Sequence, residues 1–77
     1  MNVSANELGH LIKMANQIAA NIGLGVSEDE TVERVVKHIN SFWARPMREK
    51  ICVNMHTSAD QLDGITMKAL AKIDAQL

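Results

Sequence analysis

Ser4-x-x-Glu7 and Ser27-x-x-Glu30 repeat one helix-starting signal, and each is followed by apolar residues in steps of three and four. In such a capping box the two side chains satisfy backbone N–H groups that the first helical turn leaves free. After Ser4 come Leu8, Leu11, Ile12, Ala15, Ile18, Ala19 and Ile22, which at 100° per residue share about a third of the helix circumference. Gly23 and Gly25 then supply a stop, because glycine tolerates the left-handed backbone of helix ends. After Ser27 come Val32, Val35, Val36, Ile39, Phe42 and Trp43. These residues are largely β-branched, yet their period is helical and the run is too long for an ordinary strand. Glu28 and Asp29 sit where a helix N-terminus favours negative charge. Pro46 closes this element, since proline disfavours helical backbone at the residue before it and suits a first helical position.

A third, shorter helix is therefore predicted from Pro46 to about Met55 or His56, with Met47, Ile51 and Met55 on one face. Thr57, Ser58 and Asp60 form a polar break. A fourth helix is predicted to start near Asp63, with Ser58 as the alternative cap, and to carry the stripe Leu62, Ile65, Ala69, Leu70, Ile73 and Leu77. No segment alternates as a half-buried strand would. The expected fold is all-α: one small four-helix domain over residues 1–77, with two main antiparallel helices closed by two shorter ones.

A chain of 77 residues buries only roughly 60–65% of the surface its unfolded form exposes, which leaves it marginal when alone. Cys52 is the single cysteine, so no internal disulfide can add support. A lone thiol also fits a reducing cytoplasm. The start Met1-Asn2-Val3-Ser4-Ala5 has neither the basic nor the apolar region of a secretory signal. No apolar run approaches the ~20 residues that span a bilayer. The expected location is cytoplasmic, with no membrane partner. Eight basic residues stand against nine acidic ones, scattered along the chain. That balance argues against nucleic acid, which needs a local excess of Lys and Arg. A partner protein is the expected source of support.

Chemistry finds little to work with. His10, His38 and His56 are far apart, and only Cys52 and His56 stand at helical i, i+4 spacing. Two ligands fall short of a closed zinc site. As a nucleophile and base, the same pair competes with the plainer reading of Cys52 as a small buried apolar side chain. Gly23-Leu24-Gly25 lacks the spacing and preceding strand of a phosphate loop. Acyl carrier proteins are similar only in length and class, because Asp63-Gly64-Ile65 has no serine for a phosphopantetheine arm. Catalytic, cofactor-binding and metal-binding residues are all expected to be absent.

Two clusters are more distinctive: Met14-Ala15-Asn16-Gln17-Ile18-Ala19, and His38-Ile39-Asn40-Ser41-Phe42-Trp43 followed by Met47-Arg48. Together they resemble the delta subunit family of NAD-dependent formate dehydrogenases, which has a Met-Ala-Asn-Gln-Ile segment early and a His-Ile segment leading to Phe-Trp and Asp-Pro-Arg-Met-Arg. The resemblance covers nearly the whole chain. Where the family tends to read Asp-Pro-Arg, this chain has Ala44-Arg45-Pro46, so the third helix is expected to start one residue later with a weaker cap. The resemblance implies a non-catalytic accessory subunit of a cytoplasmic molybdenum- or tungsten-containing formate dehydrogenase. It implies a catalytic alpha subunit as partner, with redox cofactors on the larger subunits and none on this one. The implied role is to support or help assemble the catalytic subunit.

Seven residues are candidates for contact with that partner: Met14, Asn16, Gln17, Trp43, Arg45, Met47 and Arg48. Met14, Asn16 and Gln17 fall on the flank and back of the first helix. Trp43 stands evenly between core residue and interface anchor, because Trp and Arg are frequent binding hot spots. Phe42 is expected in the core. Arg45 and Arg48 beside Trp43 make a partner-facing patch. The alternative is a free-standing homo-oligomeric module in which spare apolar surface pairs with itself. A small DNA-binding regulator is a third, weaker reading.

Overall fold

The computed structural model describes residues 3–77, with side chains from Glu7 onward. Its elements in order are α1 (Val3–Ile22), α2 (Glu28–Phe42), α3 (Arg45–Val53), a short 3₁₀ turn (Ala59–Gln61) and α4 (Gly64–Gln76). There is no strand among the described residues. The four-helix, all-α expectation holds.

α1 is already helical at Val3 and runs through Ser4 rather than starting there; the Ser4 side chain, and so the first capping box, lies outside the described residues. At Ser27 half of the box forms. Its Oγ accepts from the Glu30 N–H at 3.2 Å, but the Glu30 carboxylate turns to Arg34 at 3.0 Å instead of returning to the cap. Thr31 adds a bond of its own, its hydroxyl donating to the Ser27 carbonyl at 2.7 Å.

The α1–α2 turn depends on its glycines. Gly25 has φ +80°, the left-handed region where a side chain is strained. A Cβ on Gly23 would lie 3.0 Å from the Ala19 carbonyl oxygen of α1 itself and 3.3 Å from the Thr31 methyl of α2, tighter than ordinary contact with either. Beyond this turn α1 and α2 run antiparallel. Gly23 meets Thr31 at one end, and Met14 faces Trp43 across a groove at the other.

α4 is the central helix. Thr66, Ala69, Leu70 and Ile73 are fully buried, and α4 packs against all three other helices. Its widest contact is with α2, where Glu28 pairs with Lys68, Glu33 with Lys72, and Asn40 with Gln76 at 2.9 Å. Both members of these pairs rise along the chain, so α2 and α4 run parallel. The ion pairs are half-exposed, so they fix this register more than they add stability. Thr66 was absent from the predicted stripe; of the stripe's own members Ile65 is half-buried and Leu77, at its end, is exposed.

α3 begins at Arg45, not at Pro46, which becomes the second helical residue. Ala44 is its N-cap and offers no side-chain bond, so the weaker cap expected there is present. The helix also ends at Val53, before Met55. Asn54 stops it by donating its side-chain amide to the Lys50 carbonyl at 2.8 Å, which satisfies a carbonyl that another helical turn would have used. Asp63 is the N-cap of α4 as predicted, though its carboxylate makes no capping bond. Ser58 instead precedes the 3₁₀ turn and is buried. No described helix is long and apolar enough to cross a membrane.

Candidate functional site

The α1–α2 pair leaves a groove on the side away from α4. Its lower part, about 440 Å³, is lined by Met14, Gln17, Ile18, Asn21, His38, Phe42, Trp43 and Met47. A second depression of about 510 Å³ adjoins it, since Asn21, His38 and Phe42 belong to both, and continues to Leu24, Arg34 and Lys37. Four of the seven predicted contact residues, Met14, Gln17, Trp43 and Met47, therefore line one surface.

The two aromatics divide this surface between them, in the reverse of one expectation. Trp43 is only 6% exposed and belongs to the core, while Phe42 is 75% exposed. Phe42 was expected inside; it is the last residue of α2 and lines the groove instead. Trp43, one residue on, still falls over the middle of the α2 stripe and reaches the core, its N–H bonded to the Ile39 carbonyl at 2.9 Å. Its backbone is extended (φ −95°, ψ 135°), so the chain turns away from α2 after it. The Phe42 ring lies against His38, one helical turn earlier, with centroids 4.7 Å apart and planes tilted by 42°. Sequence periodicity could not have found Phe42 as a surface residue. The nearest signal was its position at the margin of the stripe.

The remaining three candidates face elsewhere. Asn16 reaches across to the start of α4. Its amide nitrogen donates to the Gln61 carbonyl at 2.7 Å, and its oxygen accepts from the Asp63 N–H at 3.0 Å. Both halves of the amide are thus engaged within the chain, clamping α1 to the α4 N-terminus. Asn16→Ala is expected to cost about 1–2 kcal/mol by leaving both backbone groups without this partner. A melting temperature within a degree or two of the parent would contradict the clamp. Arg48 is half-buried and donates to the Asn40 side-chain oxygen at 3.3 Å, linking α3 to α2, while its Nε is buried without a partner. Arg45 is exposed and pairs with Glu49 one turn later at 3.0 Å.

The one thiol is in an unreactive setting. Cys52 is buried beside α4, its Sγ–H donating to the Leu70 carbonyl at 3.6 Å. Burial pushes the thiol up from an ordinary 9.0 to about 11; Asp74 adds to the rise and Arg48 partly opposes it. His56 lies exposed beyond the end of α3, so the helical face that would pair it with Cys52 does not exist. Among the described residues no three His, Cys, Asp or Glu side chains gather closely enough to hold a metal ion.

The folded chain holds the Cys52 proton more tightly than the unfolded chain does. The resulting stabilisation is complete below pH 9.0 and is lost as the pH climbs toward about 11. Melting curves of the parent should fall across that window relative to those of Cys52→Ala. At neutral pH, alkylation of Cys52 should be slow in buffer and fast in denaturant. Equal rates in both would refute the burial of the thiol.

A family model described as the NADH-dependant formate dehydrogenase delta subunit FdsD matches residues 10–70. That span contains every residue that lines the groove. No curated protein and no solved structure matches the chain.

Proposed function

The chain belongs to the NADH-dependent formate dehydrogenase delta subunit family, and from this premise we propose that it is a non-catalytic accessory subunit that docks on the catalytic alpha subunit in the cytoplasm. Its role in this reading is to support the assembly or stability of that subunit. Redox chemistry belongs to the larger subunits. The observation that carries the proposal is the family match together with the groove it spans: a fold this small spends an aromatic ring and an aliphatic side chain, Phe42 and Leu24, on exposed positions. Contiguous exposed apolar surface of this kind marks interaction sites. The buried, proton-retaining Cys52 supports the non-catalytic part, since a nucleophile needs an accessible thiolate. A single buried thiol also suits a reducing compartment.

Co-expression with the catalytic subunit tests this reading. The two chains should purify together, and the enzyme made without this chain should accumulate less or carry less activity per mole of protein. No association, combined with unchanged yield and activity, would remove the reading. A tight symmetric dimer of the isolated chain with no affinity for the catalytic subunit would favour the free-standing module instead.

A further inference from the structure

We propose that the α1–α2 groove receives an amphipathic helix of the catalytic partner, with its apolar face against Phe42, Ile18 and Met14 and carboxylates on the flank that faces Lys37 and His38. This rests on the accessory-subunit reading and specifies what that reading leaves open: which face docks, and what chemistry it meets.

The first argument is charge. The residues that line the two depressions include Arg34, Lys37 and His38 and no carboxylate. Three of the four acids of α2 are used in pairs: Glu28 and Glu33 bond α4 lysines and Glu30 offsets Arg34, while Asp29 lies in the first turn and lines neither depression. Lys37 has no ion-pair partner among the described residues. A chain whose net charge is −1 therefore presents a basic margin beside two of its most exposed apolar side chains, Leu24 and Phe42. Complementary charge at such a margin steers and orients a partner.

The second argument is backbone. Both walls of the groove are helical, and their N–H and C=O groups are bonded within their own helices. An extended segment entering here would find no backbone partners, as it would at a sheet edge. A helix carries its backbone bonds with it and can bury one apolar stripe between two others.

The third argument excludes a second copy of this chain. The apolar stripes of its own helices are already in the core, so what a copy offers is the same groove. A symmetric dimer through that groove would bring the two basic margins toward each other.

The test uses the full chain co-expressed with the catalytic subunit. Phe42→Ala and Lys37→Glu should each weaken the complex by about tenfold or more, while Lys37→Arg leaves it intact. Both side chains are exposed, and circular dichroism should show each variant folded with a near-parental melting temperature. A photoreactive phenylalanine analogue in place of Phe42 should crosslink to the catalytic subunit. Sequencing of the captured peptide should show apolar residues at three- and four-residue spacing with Asp or Glu beside them. Capture of a second copy of this chain, or of a peptide lacking that pattern, would overturn the inference. So would unaltered binding by folded Phe42→Ala and Lys37→Glu; in each of these cases the accessory-subunit reading survives. Absence of any complex with the unaltered chain would remove both.

Discussion

Trp43→Ala is expected to lower the stability of this domain by about 3–5 kcal/mol, the range for removing a buried large aromatic side chain. Domains of this length hold only roughly 4–12 kcal/mol in total, so the loss is a large share of the whole and at the low end of that range unfolds the domain. The reasons are local. The indole is 6% exposed and packs in the same core cluster as Ile39, Ile51 and Met55. It sits at the α2–α3 junction, where Ala44 supplies no side-chain cap to hold the turn by other means. Truncation would open a cavity at the point where two helices change direction. Thermal melts followed by circular dichroism measure this directly; a cooperative transition within a few degrees of the parent would contradict it. The practical consequence concerns the docking groove. Loss of partner binding by Trp43→Ala would report unfolding rather than a lost contact, whereas its neighbour Phe42 separates the two effects.

Leu70→Ala is the second substitution expected to be severe, at about 2–5 kcal/mol, near the upper end because the surroundings are rigid. Leu70 is fully buried on α4, the helix that touches all the others. Its carbonyl also accepts from Cys52, which ties α3 to the same turn of α4. A cavity here would be walled by helix backbones fixed at several further points, by the Glu28–Lys68 and Glu33–Lys72 pairs and by the Asn40–Gln76 bond, so it has little freedom to collapse. Urea denaturation should show a reduced midpoint with an unchanged slope. A loss well under 1 kcal/mol would mean that α4 is not central to the core.

The individual helices were legible because their signals are local. Ser27, the glycines after Ile22, Pro46 and Asp63 act on the backbone within a turn of themselves, and all four mark boundaries to within a residue or two. The early end of α3 was less visible, since it depends on Asn54 choosing a backbone carbonyl over solvent. What periodicity cannot state is which element lies opposite a given stripe. It put Phe42 and Trp43 on one apolar face, although the two lie about 100° apart around the helix, and in the structure only Trp43 meets the core. It likewise left Asn16 as a polar side chain on the back of a helix, although its partners lie 45 and 47 residues away. The parallel pairing of α2 with α4 was equally out of reach, since it arises from Lys68 and Lys72 meeting acids some forty positions earlier. The groove was half legible. Met14, Gln17, His38, Phe42, Trp43 and Met47 fell within the two distinctive clusters, whereas Lys37 lay outside them and acquires its role only once α1 and α2 face each other.

Because the helix that completes the core is the last of the four to leave the ribosome, the three before it must wait with their oily faces bare. For that interval the nascent polypeptide is open to aggregation and to capture by chaperones. A mutation that delays the closing helix would therefore reduce yield in the cell more than its effect on the finished fold suggests.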